Sequence, residues 1–210
     1  MSYFVVVLPL VLLVLLAVWG GWMNRVCAFR PQAENQGLAL ELAASPEDVT
    51  RILGDSNSAE GKQNRQTAIR FQHFDFVFIP FYVAFFSAAA LINGRLSGAL
   101  IVVGIALVTG IFDVVEDLEI IAMANGRRGS ARRYGQLKWL FYFATVAAEG
   151  ALFLWPPFRT IKIGLGALLL AMGLSGSMTI LRGSLRGIIF AAKISMVALV
   201  GLALASLIRR

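Results

Sequence analysis

Leu96–Met123 reads LSGALIVVGIALVTGIFDVVEDLEIIAM. No charge interrupts it before Asp113; then Asp113, Glu116, Asp117 and Glu119 follow in close succession. A helix needs about 20 apolar residues to cross the hydrocarbon core. This run is long enough, and it delivers its acids at one end. Similar apolar runs flank it: Tyr3–Trp22 and His73–Ile92 before it, then Leu137–Trp155, Ile161–Leu181 and Ile188–Ile208 after it. The reading is an all-α, polytopic transmembrane bundle of about six helices. Residues 1–23 form the first span, 24–71 a connecting segment, and 72–210 a bundle of about five helices. The first run has no basic n-region and no small-residue cleavage site after it, so it reads as a retained helix and not a signal peptide.

Composition agrees. The 210 residues are 58% hydrophobic, with a mean hydropathy of +0.75, whereas a soluble domain is about half apolar. The lipid bilayer is the expected partner. The net charge of +7 does not point to nucleic acid, because no basic, aromatic-interleaved soluble domain accompanies it. Thirteen of the 19 basic residues fall in three connections that share one side of the membrane: Arg25–Arg70, Arg127–Lys138 and Arg182–Arg186. Five lie on the other side (Arg95, Arg159, Lys162, Arg209 and Arg210), and Lys193 lies within the sixth run. The positive-inside bias then places the N-terminus outside and the long first connection in the cytoplasm. Arg209 and Arg210 sit on the wrong side for that rule.

The first connection is too short for a hydrophobic core of its own, but it carries a helix signal. Ser45 suits an N-cap, Pro46 the first helical position, and Asp48 stands three residues after the cap. Val49, Ile52 and Leu53 give an apolar face, and Gly54 a stop. A small helix lying on the membrane or on the bundle is expected, after a short apolar stretch at Leu38–Leu42. Gly54–Gln66 is polar and reads as a loop. In the fifth run Ala167, Ala171 and Ser175 recur at four-residue spacing, a pattern for close packing within the bundle or, alternatively, in a homo-oligomer.

One cysteine (Cys27) and one histidine (His73) exclude a zinc site built on several His or Cys ligands and a haem held by two histidines within the chain. An all-carboxylate site for a divalent cation stays open. Charges inside membrane helices are costly and mark function by default. Asp113, Glu116 and Asp117 share a helical face. Asp75 opens the preceding run, with Tyr82 on its face, and the short loop at Asn93–Arg95 makes the two helices antiparallel neighbours. Asp75, Asp113, Glu116 and Asp117 are therefore the candidate catalytic set, with Asp113, Glu116 and Asp117 as candidate metal ligands. Asp113 to Asp117 also has the D-x-x-x-D spacing with which membrane prenyltransferases hold magnesium-bound diphosphate, although no second such motif follows. The competing reading is salt bridging to Arg70, Arg127, Arg128, Arg132 and Arg133. Glu149 and Lys193 are the other expected buried charges. Glu149 lies near midplane, where it must be neutral or paired with Lys162 or Lys193.

The stretch Asp75-Phe76-Val77-Phe78-Ile79-Pro80-Phe81-Tyr82, followed by Asp113-Val114-Val115-Glu116, resembles a group of bacterial multi-pass membrane proteins of uncharacterised activity. These pair D-F-x-F-x-x-x-Y at one helix start with D-x-x-E-N near the end of the next. The similarity covers about Leu38–Trp155. It departs at Asp117, where the group usually has Asn, and after Pro157. It implies a membrane fold and carries no activity with it. Three functions stand open: an accessory, assembly or scaffolding subunit with a membrane-protein partner; a small membrane enzyme acting on a lipid or isoprenoid through the carboxylates; and a proton-coupled transporter working through Glu149. No nucleophile elbow or nucleotide loop is present, and no inverted repeat supports transport.

Overall fold

The computed structural model describes residues 3–29, 36–154, 160–181 and 185–207. They form eight helices and no strand: α1 (Tyr3–Val26), α2 (Gln36–Leu40), α3 (Pro46–Leu53), α4 (Ala59–Asn93), α5 (Leu96–Ala124), α6 (Arg132–Leu154), α7 (Thr160–Leu181) and α8 (Leu185–Leu207). α1, α4, α5, α6 and α7 are long and apolar enough to cross a membrane, and Met196–Leu207 of α8 is a shorter apolar stretch. The architecture is that of a multi-pass membrane helical bundle. The long helices pack in chain order as a closed ring, with α8 returning to α1. The Pro156–Pro157 stop, Arg30, Arg159, Arg182, Arg209 and Arg210 lie outside the described residues.

Leu91, Leu100, Ile101, Leu107, Ile111 and Leu118 are among the apolar side chains that face outward. That is the pattern expected where the solvent is lipid and an exposed leucine costs nothing. Inside, Phe85, Phe86, Val146, Phe153, Leu169 and Leu202 belong to the main apolar cluster.

α6 and α7 approach closely because glycines line their seam. A Cβ on Gly150 would come 2.6 Å from the Leu170 nitrogen, and one on Gly173 2.7 Å from the Ala147 Cβ. The seam is not the small-residue stripe expected from the sequence. Ala167, Ala171 and Ser175 all face outward, because Gly166, Leu169, Gly173 and Gly176 occupy the inward face of the same turns.

α3 forms as the sequence reads. Ser45 accepts from the Asp48 nitrogen at 3.4 Å, Asp48 accepts from the Ala44 nitrogen at 3.0 Å, and Gly54 ends the helix at φ 92°, a conformation that favours glycine. α2 and α3 together form a strap across one end of the bundle. Its inner residues Leu40, Val49 and Leu53 are fully buried against Ala68, Ile120 and Met123. Each such burial contributes about 1.5–3 kcal/mol. The Ala43 carbonyl accepts from the Ala131 and Arg132 nitrogens at 3.0 Å each, tying the strap to the start of α6.

The segment Gly54–Gln66 is not a loop throughout. From Ala59 it is the first part of α4, capped by Ser58, which accepts from the Gly61 nitrogen at 2.9 Å. Its polarity has a reason: one side is solvated while Gly61, Asn64, Ala68 and Gln72 are buried under the strap. Asn64 donates to the Leu53 carbonyl at 3.1 Å and Arg65 to the Gly54 carbonyl at 3.2 Å, satisfying the end of α3. The helix that carries the second span therefore starts well before His73, and the 24–71 segment holds two helices and the head of a third.

Candidate functional site: a buried acid chamber under the strap

Asp75 and Asp113 lie at matching depth on the α4–α5 hairpin, because each is about 26 Å from its closed end at 1.5 Å per residue. They meet. One carboxylate oxygen from each of Asp75, Asp113 and Asp117 lies within 4.8 Å of the others. Tyr82 donates its hydroxyl to Asp113 Oδ2 at 2.8 Å. Asp113 and Asp117 point together because they are one turn apart on α5.

Glu116 goes elsewhere, which corrects the metal set Asp113, Glu116 and Asp117. It is rotated about 60° from Asp113, away from Asp117, and this turns it towards α6. There it meets Lys138, which also reaches Asp113 Oδ1 at 3.1 Å and Glu41 Oε1 at 3.1 Å. Trp139 donates to the other oxygen of Glu41. One ammonium thus joins the strap, α5 and α6. Gly135 makes the approach possible: a Cβ there would stand 2.7 Å from the Glu41 carbonyl oxygen and 2.9 Å from Glu116 Oε1.

The expected arginine partners play no part. Arg70, Arg127, Arg128, Arg132 and Arg133 are exposed and form no ion pair with the chamber acids among the described residues. The loop between α5 and α6 carries Arg127 and Arg128 out to solvent and the first turn of α6 does the same for Arg132 and Arg133, whereas Lys138 falls on the buried face nearly two turns into α6. Glu119 also stands apart, accepting from the Ser130 nitrogen at 3.0 Å. Lys138 and Glu41 were not singled out from sequence. The signal for Lys138 was present: Lys138, Tyr142, Thr145 and Glu149 recur at four, three and four residues, one face of a helix.

The chamber gathers five carboxylates (Glu41, Asp75, Asp113, Glu116 and Asp117) around one ammonium. Asp113 is 5% exposed, Glu116 0% and Asp117 1%. Asp117 Oδ2 is buried with no hydrogen-bond partner, and Asp117 makes no ion pair among the described residues. Uncompensated buried charge is expensive, so the cluster must take up protons or a further cation. Asp75 is half-buried and gives the group an edge towards the surroundings.

Glu149 is fully buried, and both its oxygens lack a hydrogen-bond partner among the described residues. Neither proposed lysine reaches it. Lys162 donates to Asn93 Oδ1 at 3.1 Å, and Asn93 donates to Ser206 Oγ at 3.0 Å, a polar knot at the closed end of the α4–α5 hairpin. Lys193 is not buried: it projects outward from α8 on the side of Met196, Val197 and Val200, close enough to the end of α8 for its long stem to carry the charge out. Cys27 and His73 take no part. Burial pushes the Cys27 thiol up, away from reactivity, and His73 is exposed.

At the same end, a cavity of about 250 Å³ lies between α6 and α7, lined by Arg133, Gln136, Leu137, Leu140, Ile180 and Leu181. It presents apolar walls with a guanidinium at its rim. Searches against protein-family models, characterised proteins and solved structures return no match for the chain.

Proposed function

We propose that this protein is a small enzyme of the bacterial cytoplasmic membrane that acts, at the cytoplasmic interface, on the anionic headgroup of a lipid or isoprenoid. The observation that carries this reading is the chamber: five acids around one ammonium, buried at the end of the bundle and edged by Asp75. Ordinary packing does not need such a group, since apolar residues of similar volume serve stability as well or better. Sites that bind or turn over a ligand do need it. The chamber's place at one end of a membrane-embedded bundle supports an amphiphile as ligand. The basic loops that follow α1 and α5 support placing this end in the cytoplasm with the N-terminus outside. Ser56→Cys, on the polar turn before α4, should then resist an impermeant thiol reagent in intact cells; ready labelling there would reverse the orientation.

The test of activity uses the purified full chain, reconstituted with magnesium in vesicles of native lipid extract supplemented with polyprenyl diphosphate. The lipid profile, read by mass spectrometry, should change with the wild type and stay constant with Asp113→Asn. An unchanged profile with the wild type overturns the enzyme reading. If the protein instead leaves its native membrane with a stoichiometric second protein, the accessory-subunit reading takes its place.

A further inference from the structure

We infer that Asp75, Asp113 and Asp117 form a binding site for one hard divalent cation, of the magnesium, manganese or calcium class. The inference deepens the proposed headgroup chemistry and rests on that reading for its purpose, but its geometry stands alone. Three carboxylate oxygens from two helices lie within 4.8 Å of one another. Oxygens bound to one such cation at about 2.1–2.4 Å lie roughly 3–5 Å apart, so the three acids are already at coordinating separation. The second observation is Asp117, 1% exposed, with its Oδ2 unpartnered and its carboxylate turned into the group. A buried carboxylate oxygen without a donor is stabilised by a cation placed among its neighbours.

The surroundings sort the acids into two sets. Lys138 engages Glu41 and Glu116 and leaves Asp75 and Asp117 without an ion pair among the described residues. Asp113 belongs to both sets. Its two oxygens offer about four lone-pair directions; Lys138 and the Tyr82 hydroxyl use two of them and hold the carboxylate in place for a ligand on the others, as groups behind a metal ligand do. An all-oxygen donor set selects hard cations over zinc or copper. A divalent ion would also offset half of the excess negative charge left when five ionised acids face one ammonium. Three protein ligands leave about half of an octahedral shell for water or a phosphate oxygen.

The test is a manganese titration of the purified full-length protein followed by electron paramagnetic resonance. One manganese ion per chain is expected, with magnesium competing for it. Asp75→Asn and Asp117→Asn should each weaken binding at least tenfold, while Glu119→Gln, outside the group, should leave it unchanged. A wild-type protein that binds no stoichiometric manganese overturns the site and leaves proton sharing as the chamber's charge balance. So do variants that bind as tightly as the wild type. Should the variants fold poorly, magnesium protection of the wild type against thermal unfolding, absent with sodium at equal ionic strength, supports the site; its absence overturns it. The two readings fail separately. Stoichiometric manganese with no lipid turnover keeps the site and removes the enzyme; turnover lost in Asp113→Asn, in a protein that binds no manganese, does the reverse.

Discussion

Lys138 and Glu149 share one face of α6, both buried and about 16 Å apart along the helix, yet their surroundings are opposites. Lys138 has more acid than it can neutralise: Glu41, Asp113 and Glu116 all reach it. Glu149 has nothing: no hydrogen bond or ion pair reaches its carboxylate among the described residues. The first group holds an ion-paired ammonium. The second is tolerable only as a neutral acid, since an isolated ionised carboxylate at that depth would be prohibitively costly. Burial alone therefore does not set the state of a charge; the number and sign of its neighbours do.

Three substitutions break or sharpen this contrast. Lys138→Met fills a similar volume and removes the ammonium that Glu41, Asp113 and Glu116 share. It should cost about 3–5 kcal/mol, the range for breaking a buried ion pair by deleting one partner. The measurement is the folded fraction in a detergent thermal melt. A variant as stable as the wild type would mean that the acids are already protonated. Gly135→Ala is the next largest. Its Cβ collides with the Glu41 carbonyl and the Glu116 carboxylate, so the strap must lift, at about 1–3 kcal/mol. Proteolysis within Gly54–Ser58 should accelerate, and an unchanged cleavage rate would show that the strap does not depend on this approach. Glu149→Gln should do least. It keeps the shape of a protonated acid, so a stability change within about 0.5 kcal/mol is expected, the level of a substitution that disturbs no named interaction. A loss greater than 2 kcal/mol would show that Glu149 is paired and charged.

The helices were legible because lipid imposes a length and an apolarity that a single chain displays directly. α3 was legible because its cap, first-turn proline and terminal glycine are local signals. The meeting of Asp75 with Asp113 was legible because a short hairpin leaves one outcome. Glu41 and Lys138 were not, since their pairing depends on how α2 crosses the bundle and on the rotation of α6 about its axis, neither of which a nearby residue records. The start of α4 was misread because polar composition resembles a loop until the period of Gly61, Asn64, Ala68 and Gln72 is noticed. Lys193 was misread because hydropathy gives a residue's depth but not the side of the helix on which it stands.

The Trp139–Glu41 bond joins residues 98 positions apart, and the chamber acids all precede Lys138 in the chain. A ribosome adding about 5–20 residues per second therefore delivers every carboxylate before the ammonium that will hold them. Glu41 waits longest, roughly 5–20 s at that pace, and α4 and α5 enter the membrane with their acids still uncompensated. During that interval the acids stay wet or protonated, and the strap lacks its ties to α6. The arrival of α6 brings the ammonium that closes the ion group and the backbone nitrogens that hold the Ala43 carbonyl of the strap.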